Sequence, residues 1–234
     1  MQPLSFHNRF VRLVPAVCLF FSSWAGAQQG LGLAGFEIAN HNSYLYLGGI
    51  QSASASLGSG LAYRTWLDAG TYRYEKSGTQ IDARYWRASA AAGYQNAGER
   101  GWWAGYLGAG YQQTSLSPDD PENASRGGKI KPFLQLEGET QLAPTLTANL
   151  ASSYTFGSNA YWLRGRVFKS LYASRRVGAE MILHGDPDYQ ATQIGGLFVV
   201  PLDRNVMTII KAGIRTGSGT SSTPYGGLEF TKPF

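Results

Sequence analysis

From residue 28 onward, apolar and polar side chains alternate with a period of two, and clusters of Gly, Pro, Asn and Asp interrupt them regularly. Successive side chains of a β-strand point to opposite faces, so this period predicts strands with one apolar and one polar face. The stretch Thr145 to Phe156 is the clearest. Leu146, Ala148, Leu150, Tyr154 and Phe156 share one face, and Thr145, Thr147, Asn149, Ser153 and Thr155 share the other. Just before it, Ile130, Leu134, Leu136 and Leu142 oppose Lys129, Lys131, Gln135, Glu137, Glu139 and Gln141. Later, Val177, Ala179, Met181 and Leu183 oppose Arg176, Gly178, Glu180 and His184.

About twelve such segments begin near residues 31, 43, 59, 79, 101, 128, 144, 159, 173, 188, 204 and 222. Soluble sandwiches place a strand every 8 to 12 residues or so; here the interval is about 17. Strands of about 9–11 residues are needed to cross lipid at a tilt. The pattern therefore predicts an all-β fold, an antiparallel up-and-down transmembrane β-barrel of about twelve strands within residues 28–234. An even count puts both ends of the barrel in the periplasm. The longest connection, Ser117 to Asn123, then falls outside, while Leu142-Ala143-Pro144 and Leu202-Asp203-Arg204-Asn205 make tight inner turns, as in outer-membrane barrels. Leu228, Phe230 and Phe234 alternate up to a terminal aromatic, which is similar to the insertion signal of bacterial outer-membrane barrels. A soluble up-and-down barrel would show the same alternation with polar residues outside and apolar ones inside; the paired opposite charges on the polar face, which an apolar barrel core would exclude, favour the membrane barrel.

Residues 1–27 read as a signal peptide. Arg9 and Arg12 precede a short apolar run from Leu13 to Phe21, and Ala25-Gly26-Ala27 forms a cleavage site. The expected destination is the Gram-negative outer membrane. The single cysteine, Cys18, lies in this leader after Val17, which is no lipobox, so the mature chain is cysteine-free and suits an oxidising compartment. Cleavage removes two arginines and no acid, lowering the net charge from +5 to +3. That charge on an exported chain implies no nucleic-acid partner.

If the apolar face meets lipid, the polar face lines the lumen. It carries Arg64, Asp68, Arg84, Lys129, Lys131, Glu137, Glu139, Arg164, Arg166, Arg176, Glu180, Lys211, Arg215 and Glu229. Ion pairs among these would fill a medium barrel; a polar, gated path is the alternative. Trp66, Trp86 and Trp162 share the register of Arg64, Arg84 and Arg164. Flat rings bordered by charged hydrogen-bonding groups suit stacking on pyranoses, and equally suit packing inside the lumen. Tyr72, Tyr74, Trp102, Trp103, Tyr106 and Tyr161 are expected to include interfacial girdle residues.

Catalytic signals are sparse. His41-Asn42-Ser43 sets a His and a Ser two apart, with Asn42 a candidate to orient the imidazole, though Asn-His-Asn-Ser is also an ordinary turn. Asp186 and Asp188, beside His184, form a turn sequence that two carboxylates would also let bind Ca²⁺. No P-loop, G-x-S-x-G or H-E-x-x-H occurs, and no cofactor or metal is expected.

The loop Leu116-Ser117-Pro118-Asp119-Asp120-Pro121-Glu122-Asn123, with Tyr72-Arg73-Tyr74 and Tyr225-Gly226-Gly227-Leu228, resembles the BcsS family of cellulose-biosynthesis proteins over nearly the whole mature chain. The resemblance implies an outer-membrane place in bacterial cellulose synthesis and carries no catalytic residues. The expected role is a non-enzymatic accessory in export or surface assembly of a β-1,4-glucan. Its partners would be the polymer and other secretion components. Two mechanisms stay open. In one, Trp66, Trp86 and Trp162 stack on the glucan in the lumen while Arg64, Asp68, Arg84, Arg164 and Arg166 bond its hydroxyls. In the other, the lumen is plugged and the loop of Pro118, Asp119, Asp120, Pro121 and Asn123 docks the polymer or a partner. The competing class is a lipid- or glycan-modifying hydrolase using Ser43 and His41.

Overall fold

A computed structural model describes residues 29–53, 56–218 and 221–234. The predicted leader and its cleavage site at Ala27 lie outside them. Twelve strands follow in order: β1 (Gly30–Ala39), β2 (Asn42–Ser52), β3 (Ser59–Lys76), β4 (Thr79–Gly98), β5 (Gly101–Ser117), β6 (Gly127–Ala143), β7 (Leu146–Thr155), β8 (Ala160–Ser170), β9 (Arg176–Gly185), β10 (Gln190–Asp203), β11 (Val206–Gly217) and β12 (Thr223–Pro233). Every expected strand start lies within three residues of an observed one. Each strand pairs antiparallel with the next, and β12 returns to β1 through Leu31↔Pro233, Gly35↔Glu229 and Ala39↔Tyr225. The sheet is thus a closed up-and-down barrel with no free edge.

Both chain ends of the barrel lie at one rim. The turns at that rim include Glu99-Arg100, Pro144-Thr145 and Arg204-Asn205, while the opposite rim carries the nine-residue loop 118–126. Short turns on the periplasmic side and longer loops outside are the outer-membrane arrangement. Strands β3 to β6 run 17 to 20 residues, well beyond what lipid requires, and β3–β4 close through a two-residue turn in which Ser77 and Gly78 both have positive φ.

The outer wall is apolar and open. Ile130, Leu107, Leu45 and Leu150 expose between 57% and 75% of their surface, a face that needs lipid around it. A furrow on this wall runs past Gly138, Gly165 and Ala179 between Leu150, Met181 and Ile194. It faces the acyl chains rather than the lumen.

The core is inside the barrel, in three layers. Near the periplasmic rim, Ile50, Ala62, Ala91, Ala104, Tyr106 and Phe133 form one apolar cluster, and Phe168, Leu197 and Val199 form another. A belt of paired charges occupies the middle. Toward the outer rim, Tyr74, Ile81, Ala83, Tyr189 and Ala191 close a third apolar group, reaching from β3 and β4 across to β10. The interior is therefore less uniformly polar than the strand patterns predict.

One expectation about facing is corrected, and the structure adds two further placements. Arg84 and Trp86 point outward, because the inward register of β4 is Ile81, Ala83, Tyr85, Arg87, Ser89 and Ala91. The segment Arg84-Tyr85-Trp86-Arg87 puts an arginine and an aromatic on each face, so alternation carries no contrast there. Tyr74 and Tyr106 are fully buried inside the barrel and Tyr72 and Trp102 also point inward, whereas Trp103 and Tyr161 sit on the outer wall. Glu37, absent from the expected lumen set, is an interior residue of β1.

Candidate functional site

The mid-barrel belt is built from inward side chains on six consecutive strands, β8 to β12 and β1. Arg166 on β8 donates from Nε to Glu180 on β9 (2.9 Å) and from both terminal nitrogens to Glu229 on β12 (2.8 and 2.6 Å). Lys211 on β11 bridges Glu229 (3.1 Å) and Glu37 on β1 (2.8 Å). Tyr225 donates to Glu180 (3.0 Å), Gln193 donates to Glu37, and Arg215 donates to the Tyr189 hydroxyl. Arg166 on β8 reaches Glu229 four strands away, so the contacts cross the lumen instead of following its wall. Desolvated charges of both signs offset one another here, which fixes interior shape more than it adds stability.

The opposite wall, β2 to β4, is aromatic. Trp66 stacks on Tyr46 (centroids 4.8 Å apart, planes 12° apart), and the Arg64 guanidinium lies 4.1 Å from the Trp66 ring. Asp68, fully buried, accepts from Arg87 Nε at 2.9 Å. On β8, Trp162 lies inward with Arg164 at 5.2 Å from its ring, and Arg164 also reaches Glu229 at 3.9 Å. The structure thus brings Arg64, Trp66 and Asp68 together on one wall and Trp162, Arg164 and Arg166 on another. Arg84 and Trp86 belong to neither; Trp86 meets Tyr111 on the outer wall at 5.3 Å. Arg87 is the arginine that joins the site, and its signal was the Asp68↔Arg87 pairing, which only the strand register supplies.

The loop 118–126 folds over the outer mouth. Asp120 accepts from the Tyr74 hydroxyl (2.9 Å) and from Lys76 Nζ (3.0 Å), and Asn123 Nδ2 donates to the same tyrosine (3.0 Å). Ser125 donates to Asp186 in the β9–β10 turn (3.4 Å), while Arg126 and Asp119 pair on the surface (2.6 Å). Asp120, Asn123 and Ser125 are buried, so Pro118, Asp119, Pro121, Glu122 and Arg126 are the residues of this stretch that face outward. Burial opposes ionisation of Asp120, but the bonds from Lys76 and Tyr74 outweigh it and hold its carboxyl below the ordinary value. Asp119 is lowered likewise by Arg126, whereas burial pushes Asp186 up.

No hydrogen bond joins Ser43 to His41 among the described residues. The Ser43 hydroxyl pairs with Thr71 Oγ1 on β3 (2.9 Å), Asn42 donates to the Asn40 carbonyl, and His41 occupies the turn with φ 60°. Asp186 Oδ1 accepts the backbone N–H of Asp188 and Tyr189, which is turn chemistry. Among the described residues no three His, Cys, Asp or Glu side chains are grouped to hold a metal ion.

A family model described as cellulose biosynthesis protein BcsS matches residues 32–234. The chain belongs to the BcsS family. No curated protein matches it significantly. Among solved structures the BcsS barrel is similar to the CymD monoaromatic hydrocarbon channel, with 9% identity, 89% of each chain covered and a TM-score of 0.59. It is also similar to the translocator domain of the autotransporter NalP from Neisseria meningitidis (12% identity, 90% of each chain, TM-score 0.54). A third is the transport unit of the autotransporter AIDA-I from Escherichia coli, at 9% identity, 94% and 95% coverage and a TM-score of 0.52. At such identities the likeness concerns the fold, an outer-membrane β-barrel. Family membership adds the setting, cellulose biosynthesis.

Proposed function

We propose that this BcsS protein is a non-enzymatic outer-membrane accessory that holds the β-1,4-glucan, or another secretion component, at the cell surface and does not conduct the polymer through itself. Membership of the family supports the pathway. One observation carries the mechanism: described side chains close the lumen with an apolar layer toward each rim, and between them the belt of Arg166, Glu229, Lys211 and Glu37 bridges part of it. A conducting lumen would need both apolar layers to open. The outward residues Pro118, Asp119, Pro121 and Glu122 offer the docking edge, with Asp120 and Asn123 holding it in place. The hydrolase reading has no geometric support, since the Ser43 hydroxyl is committed to Thr71.

The test is surface cellulose in a producing host. Deleting the gene for this barrel is expected to lower surface-attached cellulose, and shortening residues 118–123 is expected to do so while the barrel still inserts. Unchanged surface cellulose in the gene deletion would reject the role. A Ser43-dependent hydrolysis of lipid or acylated glucan by purified protein would reverse the non-enzymatic assignment.

A further inference from the structure

We propose that the β2–β4 half of the lumen is a blind binding track for a few units of an extended, uncharged β-linked glucan. The inference rests on the reading that this barrel handles β-1,4-glucan, and it names where the chain is gripped. Five inward aromatics line this half: Tyr72 and Trp66 on β3, Tyr44 and Tyr46 on β2, and Tyr85 on β4. They make a chain of ring contacts. Tyr72 lies 6.3 Å from Tyr85, Tyr44 lies 5.6 Å from Tyr46, and Tyr46 stacks on Trp66 at 4.8 Å. Tyr85 and Tyr44 flank Gly70 in the register, which joins the two groups. All five are half-buried rather than buried, so each still borders interior space.

Glycine sets this arrangement. A Cβ on Gly48 would lie 1.9 Å from the Trp66 ring and one on Gly35 would lie 2.7 Å from the Tyr46 ring. The rings therefore lie down over bare backbone and do not project to fill the lumen. From Tyr72 to Trp66 the strand rises roughly 20 Å, a length suited to several sugar units. A β-1,4-linked chain is a flat ribbon whose apolar faces match a row of such rings.

A second observation is independent of the rings. Among the described buried polar atoms without a hydrogen-bond partner are Arg64 Nε, Asp68 Oδ1 and Arg164 Nε. Asp68 is 2% exposed, and its other oxygen is taken by Arg87. The unmet acceptor of Asp68 and the unmet donor of Arg64, two residues to either side of Trp66, are what a sugar hydroxyl satisfies, since a hydroxyl both donates and accepts. Asp68 neutralises Arg87, and Glu137 on β6 lies within electrostatic reach of Arg64, so the charges of this wall balance, which favours a neutral ligand over an anionic one. Below Trp66 the cluster of Ile50, Ala62 and Phe133 closes the track, and above Tyr72 the contact with Tyr189 (5.1 Å) and the loop 118–126 roof it. Entry is therefore from the outer mouth, with that loop lifted.

The experiment is calorimetric titration of the purified full barrel with cellopentaose, using maltopentaose as the curved α-linked control. Wild type and Asp120→Asn, which frees the loop, are run in parallel. The expected result is cellopentaose binding by at least one of them, stronger than maltopentaose. Trp66→Ala and Tyr46→Ala should weaken it about tenfold, which is 1.4 kcal/mol. Trp66→Phe should recover most of the loss and show that the Ala variant is not merely misfolded, and the outer-wall change Trp86→Ala should have no effect. No cellopentaose binding by either barrel, or binding that ignores Trp66 and Tyr46, overturns the track. If binding is absent while deletion of the gene still lowers surface cellulose, the track alone falls and the accessory role stands.

Discussion

Arg166 shows what a single interior side chain does in this barrel. It is 5% exposed and serves two carboxylates on strands one and four positions away. Replacing it with Ala leaves Glu180 buried without a cation and Glu229 with Lys211 as its remaining close one, which is expected to cost about 3–5 kcal/mol. Unfolding from lipid vesicles in urea measures that loss, and changing Glu180→Gln in the same chain should return part of it. Asp120 gives the pH dependence. Its folded-state pKa is depressed, so its contribution to holding the loop is complete above its ordinary value of 3.8 and is lost as pH falls below that. Asp119 follows the same sign, while Asp186, raised by burial, follows the opposite one. Cleavage of the loop by an acid-active protease is therefore expected to switch on below about pH 4, and Asp120→Asn should admit trypsin at Arg126 already at neutral pH. Which way a side chain faces is legible from sequence wherever charge contrast exists, as at Arg64, Asp68, Arg164 and Arg166, all of which point inward. It is not legible at Arg84 and Trp86, where both faces of the strand carry the same residue types.

At the scale of elements, strand positions were legible because turn residues punctuate the chain and the outer wall must be apolar for a full crossing. Leu150, midway along β7, lies on that wall. Leu150→Arg is expected to cost about 2–4 kcal/mol in vesicle refolding, and Leu150→Phe much less. Alternation tells inside from outside but not what the inside touches. The sequence therefore showed that Tyr72 and Tyr74 were aromatic, not that they reach across the mouth to Tyr189 and Asp120. Glu37 is hard to place for a related reason: β1 has weak contrast, with Gly32, Gly35 and Ala34 diluting both faces. The loop 118–126 stood out by its composition. That half of it is turned inward, pinned by Tyr74 and Lys76, follows only from how far β3 and β4 rise beyond the lipid.

The whole molecule is a closed barrel of the cellulose-biosynthesis family BcsS, with an apolar layer toward each rim, an ion-paired belt between them and an aromatic half-lumen. The same shell would hold a channel or a translocator with little change in its outer wall, and fold likeness to CymD and NalP does not choose between them. Interior side chains make that choice. Conductance in planar lipid bilayers tests it most directly. The full barrel, inserted and folded, is expected to give no stable open-channel steps, and Arg166→Ala combined with Lys211→Ala is expected to give none either, because the apolar layers on both sides of the belt remain. Stable porin-like steps from the unaltered protein would contradict a closed lumen.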